Sequence, residues 1–146
     1  MCLFLTFTLL AAGCRRKPAG AVTPLHRAAE QGDIEQVQSL IVSGTDINAR
    51  DPGAQTPLER AAFRGQKKAI ELLIAGGAEI NTKNQSGRTP LHVAASFGRK
   101  EVAELLISKG ANANERDNDG NTPISLTEDR GYKEIAVFLH THGAKE

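Results

Sequence analysis

Cysteine occurs only at positions 2 and 14, and residues 15–146 contain none. A disulfide framework, a thiol nucleophile and a cysteine zinc site are therefore excluded from nearly the whole chain. Tryptophan is absent and aromatics make up 4% of the residues, too few to fill one large central core but suited to a layered stack of small helices. An excess of one charge is also missing. Eighteen Lys and Arg face seventeen Asp and Glu, which gives no global bias towards nucleic acid or an anionic surface. No apolar run approaches the roughly 20 residues that cross a bilayer as a helix.

What the chain has instead is a period. Thr23-Pro24-Leu25-His26-Arg27-Ala28-Ala29 returns as Thr56-Pro57-Leu58-Glu59-Arg60-Ala61-Ala62, as Thr89-Pro90-Leu91-His92-Val93-Ala94-Ala95, and more weakly as Thr122-Pro123-Ile124-Ser125-Leu126-Thr127-Glu128, each 33 residues after the last. Gly44, Gly77, Gly110 and Gly143 keep the same step, each behind an apolar run. Two markers in one phase identify internal repeats, and 146 residues leave room for a single domain built from them.

Each copy can be read locally. Thr caps the free N–H groups of a first helix, and Pro at its first position forfeits only an N–H that would be unpaired anyway. Leu25, Leu58, Leu91 and Ile124 point inward, the Ala pairs admit a neighbouring helix closely, and Gly32, Gly65, Gly98 and Gly131 permit the turn into a second helix. That helix has its apolar residues at helical spacing: Val37, Leu40 and Ile41; Ile70, Leu73 and Ile74; Ala103, Leu106 and Ile107; Ala136 and Leu139. The later glycines suit left-handed helix ends, followed by loops Arg50 to Gln55, Lys83 to Arg88 and Arg116 to Asn121. In the last copy Ser125, Thr127 and Glu128 replace the His and the Ala pair, as expected of a solvent-facing cap.

The Thr-Pro-Leu-His-x-Ala core and its 33-residue step resemble the ankyrin repeat family over residues 19–146. The resemblance implies an all-α solenoid of four helix-turn-helix repeats joined by β-hairpin loops, with repeats at about 19–51, 52–84, 85–117 and 118–146. It implies a structural, hydrogen-bonded role for His26 and His92. Glu59 departs from the pattern, so no such link is implied in the second repeat. Partner binding, by the same resemblance, uses hairpin tips and the exposed face of the first helices along one concave groove. Carried over by position, the groove comprises Arg50, Pro52, Gly53, Gln55, Phe63 and Arg64, then Lys83, Gln85, Ser86, Arg88, Ser96 and Phe97, then Arg116, Asn118, Asp119, Asn121, Asp129 and Arg130, with Glu30 and Gln31 from the first repeat. Arg50, Arg64, Lys83, Arg88, Arg116 and Arg130 outnumber Glu30, Asp119 and Asp129, so the groove is expected to be basic and its partner a protein with an acidic patch. Phe63 and Phe97 are expected either as exposed hot-spot aromatics or as ordinary packing between repeats.

Residues 1–14 carry no charge and are closed by Arg15-Arg16-Lys17-Pro18. They read as the apolar region of an export signal. Leu10-Ala11-Ala12-Gly13-Cys14 resembles a bacterial lipoprotein processing site, which implies a signal over 1–13, a lipid on Cys14, a basic tether over 14–22 and a place in the cell envelope, facing the periplasm or in the outer membrane. A cleaved signal without lipid, a short membrane anchor and a misread start on a cytoplasmic chain are the alternatives, because Arg15, Arg16 and Lys17 favour the cytoplasmic side.

Catalytic patterns are thin. His140-Thr141-His142 is the only local pair with a metal flavour, but residues two apart on a helix do not share a face and two ligands fall short of a structural zinc site. Glu128-Asp129 falls on a solvated helix, Asn118-Asp119-Gly120-Asn121 lacks the twelve-residue calcium pattern, and the glycines follow the repeat instead of a phosphate loop. The sequence thus points to a non-catalytic, monomeric protein-binding module with no cofactor and no nucleic-acid partner. A cytoplasmic adaptor or host-directed effector is the second reading, and a metal-dependent hydrolase using His140 and His142 the third.

Overall fold

The computed structural model describes residues 20–145. The expected export signal with Cys14 and the first part of the expected tether lie outside the described residues. Eight helices follow: α1 Pro24–Gln31, α2 Ile34–Val42, α3 Pro57–Arg64, α4 Lys67–Ala75, α5 Pro90–Ser96, α6 Lys100–Ser108, α7 Pro123–Asp129 and α8 Lys133–Thr141. They form four antiparallel pairs. Inner helices α1, α3, α5 and α7 pack on one another in chain order, and outer helices α2, α4, α6 and α8 do the same.

The inner helices start where the threonines predict. Thr23, Thr56, Thr89 and Thr122 sit in extended backbone, and each hydroxyl oxygen accepts from the N–H three residues on. Helices α1 and α3 stop at the expected glycines, Gly32 and Gly65, while α5 and α7 stop one residue earlier, at Phe97 and Arg130, with the glycine next. Gly98 illustrates the constraint, since its φ is 67° and a Cβ there would lie 2.7 Å from the Tyr132 ring.

Outer helices start differently. Asp33 caps α2 through its side chain, whereas Gln66, Arg99 and Tyr132 at the equivalent positions form no side-chain cap bond. Two of them reach back to the preceding repeat instead. Gln66 Nε2 donates to the Glu30 carbonyl at 3.2 Å and Arg99 Nε to the Phe63 carbonyl at 3.0 Å, while the Tyr132 ring lies on Gly98. These contacts satisfy carbonyls that a helix end leaves open and join repeats in the same stroke.

Leu25, Leu58, Leu91, Ile124 and the three Ala pairs are buried between inner helices, with Val37, Ile70, Leu73, Leu106 and Leu139 beneath them. Thr127 departs from its expected solvent-facing role. It is fully buried, its hydroxyl donating to the Ile124 carbonyl at 2.6 Å, whereas Glu128 is exposed. A hydroxyl that bonds within its own helix tolerates burial; a carboxylate does not.

The loops have hairpin shape but no strand is present among the described residues. Two backbone bonds close each: Asp51 N to Gln55 O and Ala54 N to Asp51 O, then Asn84 N to Arg88 O and Gly87 N to Asn84 O, then Asp117 N to Asn121 O and Gly120 N to Asp117 O. Among the described residues no helix is long and apolar enough to cross a membrane.

Candidate partner-binding face

The loop tips owe their shape to Asp51, Asn84 and Asp117, again 33 apart. Asp51 Oδ1 accepts from Gly53 N and Gln55 N, both at 2.9 Å. Asn84 Oδ1 accepts from Ser86 N and Arg88 N, and Asp117 Oδ1 from Asp119 N and Asn121 N. Short acceptors at the start of a turn hold their own backbone two residues on. Burial pushes the Asp51 and Asp117 carboxyls up, but their backbone donors and the guanidiniums of Arg60 and Arg88 outweigh it, and both end below the usual carboxylate range. The spacing and residue type of this trio were visible in the sequence and identify turn residues that the motif itself omits.

Tips are also tied to one another. Gln85 N donates to Gly53 O, and Asn118 N to Ser86 O, each at 3.0 Å. Just before each loop, Asn48 Oδ1 accepts from Glu79 N, Asn81 Oδ1 from Asn112 N and Asn114 Oδ1 from Lys145 N.

On this frame Arg50, Lys83 and Arg116 stack in register. Arg50 Nη1 donates to the Lys83 carbonyl at 2.7 Å, and Lys83 Nζ to the Arg116 carbonyl at 3.1 Å. Arg116 Nη1 turns to Gly120 O at 2.8 Å. The charges are unequally committed. Lys83 pairs with Glu115 at 2.8 Å, Arg64 with Glu30 at 3.2 Å, and Arg88 with the buried Asp117 at 3.1 Å. Among the described residues Arg50, Arg116 and Arg130 form no ion pair.

Other carried-over positions are spent internally. Ser96 is fully buried, and its hydroxyl has no hydrogen-bond partner among the described residues, so in this conformation it offers nothing to a partner. Asn121 bonds Asp117 through its side chain and accepts from His92 through its carbonyl. The Gln55 carbonyl accepts from His26, and Asn118 Nδ2 donates to Gln85 O. Exposed among the carried-over positions are Gln31, Arg50, Pro52, Arg64, Lys83, Gln85, Ser86, Phe97, Arg116, Asn118, Asp119, Asp129 and Arg130. Phe63 is half-buried against the core, with the Phe97 ring edge-on at 4.5 Å. An open cleft of about 370 Å³ beside them is lined by Arg27, Glu30, Gln31, Arg64 and Gln66.

The motif histidines are joints. His26 Nδ1 accepts from Thr23 N at 3.1 Å and Nε2 donates to Gln55 O at 2.9 Å; His92 repeats this with Thr89 N and Asn121 O. Burial holds both imidazoles below their ordinary pKa, and the bonding needs the neutral ring with its proton on Nε2. Glu59 has no such bond to Arg88 O. It is fully buried, accepts from Thr82 Oγ1 at 3.4 Å, and leaves Oε2 without a partner among the described residues. Burial pushes its carboxyl up to about 8, against the opposing pull of Asn84, Thr82 and Arg50. His140 is exposed, while His142 bonds Phe138 O through Nδ1 at 2.8 Å and lies on the Phe138 ring at 4.1 Å.

Helix pairs that pack on their neighbours, with loops and side chains repeating in register, define a repeat solenoid. The chain belongs to the ankyrin repeat family: a model described as ankyrin repeats in three copies matches residues 5–84, 25–117 and 58–146. Repeats of this family generally serve as non-catalytic modules of protein–protein interaction. No curated protein matches the chain.

Proposed function

We propose that this protein is an exported, lipid-anchored binding module that holds an acidic patch of another protein in a basic concave groove formed by its loop tips and inner helices. The observation that carries the reading is the register of Arg50, Lys83 and Arg116, which lines cations along the loops of a nearly neutral chain. Two of these three form no ion pair among the described residues, so an incoming acidic group meets charge that is not already paired. The module acts as a monomer and needs no cofactor. Cys14 supplies the membrane attachment, and residues 14–22 the tether.

Affinity capture from native envelope extract tests the binding half. A partner retained by the wild type, rebinding in purified form and lost from the combined Arg50→Glu, Lys83→Glu and Arg116→Glu variant, supports the basic face; undiminished binding by that variant removes it. Mass spectrometry of the mature protein tests the anchor. The expected chain starts at lipid-bearing Cys14, and an intact, unmodified Met1 would exclude lipoprotein processing.

A further inference from the structure

Aromatics are scarce in this chain, yet they are not scattered. Between Gly20 and Lys145 the aromatic residues are Phe63, Phe97, Tyr132 and Phe138, and the first three gather where α3 and α5 end. Phe63 and Phe97 meet edge to face at 4.5 Å, and the Tyr132 ring lies on Gly98, next to Phe97. The fully buried core is built from Leu, Ile, Val and Ala; of these three rings Phe63 packs against it, whereas Phe97 and Tyr132 stand outside it. Phe97 keeps 39% of its surface in water and Tyr132 36%, area whose burial by a partner is favourable.

Cations flank the rings. The Arg64 guanidinium lies 5.4 Å from the Phe63 centroid and that of Arg130 5.8 Å from Phe97. Arg64 shares Glu30 with Arg60, which also grips Asp51, whereas Arg130 forms no ion pair among the described residues. Glu30, Glu128 and Asp129 are the acids at the ends of the inner helices, and Glu30 is already held twice.

Resting on the binding reading above, we infer that this corner anchors one aromatic side chain of an acidic partner segment, packed on Phe97 and Tyr132 while its neighbouring carboxylate meets Arg130 and Arg64. Phe63 acts as the underlay that holds the Phe97 ring at its angle. An aromatic guest adds edge or face contact to rings already oriented, and the guanidiniums supply charge at its rim.

Two labelled peptides of alternating glutamate and serine test this, one with a single central phenylalanine and one with alanine in its place. By fluorescence anisotropy the phenylalanine peptide binds about fivefold more tightly, the scale of one aromatic contact, and it shifts the ring resonances of Phe97 and Tyr132. Phe97→Ala removes that preference, so that the phenylalanine and alanine peptides bind it equally. Arg130→Gln, which leaves the apolar surface in place, weakens the phenylalanine peptide about threefold at low salt and less at high salt. Equal affinity for the two peptides overturns the anchor and leaves the basic face standing. Failure of both peptides to bind overturns both, and equally tight binding of a lysine-for-glutamate version overturns the acidic specificity.

Discussion

Ala54 has a φ of 57° and is the one non-glycine residue with positive φ among the described residues; Gly87 and Gly120 occupy the equivalent positions of the next two loops at 72° and 82°. An L-residue gives up about 1–2 kcal/mol in that region, partly offset because glycine frees the unfolded chain. Ala54→Gly is therefore expected to stabilise the protein by about 0.5–1 kcal/mol in urea melts. Glu59 is strained electrostatically instead. Its folded pKa of about 8 stands above the ordinary carboxylate value, so the folded state binds the proton more tightly and stability falls as pH rises from the unfolded value through 8. His26 and His92 have the opposite sign, being depressed by burial, and they cost stability only as pH falls below about 6.5. Between pH 6.5 and 8.5 Glu59 acts alone among these three, with a loss of about 2 kcal/mol expected. Urea melts of Glu59→Gln should be flat over that window, and a wild-type curve equally flat would show that the carboxyl is not held protonated.

Among elements, the inner helices are specified more completely than the outer ones. Thr, Pro and Gly set both ends of α1 and α3 within a few residues of chain, and so their spans were legible. Thr89→Ala is expected to cost about 1 kcal/mol through the lost cap of α5. Leu91→Ala is expected to cost about 2–5 kcal/mol, because the cavity opens between three inner helices that cannot collapse onto it. Both are read by chemical denaturation. The starts of α4, α6 and α8 were not legible in the same way. Gln66, Arg99 and Tyr132 share no chemistry, and their common task of touching the preceding repeat emerges only once the repeats are stacked.

For the whole molecule, stability belongs to the interfaces between repeats, since a pair of short helices cannot bury its apolar face alone. The end repeats have one neighbour each. Amide exchange should therefore be slowest in α3 to α6 and fastest towards α2 and α8, graded along the stack. A uniform rate in all eight helices would instead indicate one undivided cooperative unit. A continuous stack also explains how sites distant in sequence share a face: Arg50 touches Lys83, and Arg64 touches Glu30, 33 and 34 residues away.

By itself the sequence determined the period, the caps, the turns and the buried leucines, because each depends on a backbone geometry imposed within a few residues. Tertiary structure decided which of the equivalent cations remain unpaired, why Ser96 is buried while Phe97 is exposed, and what surrounds Glu59. Those outcomes turn on side chains 23 to 36 residues apart, where repeats occupy the same register but present different residues, and only stacking brings the two together.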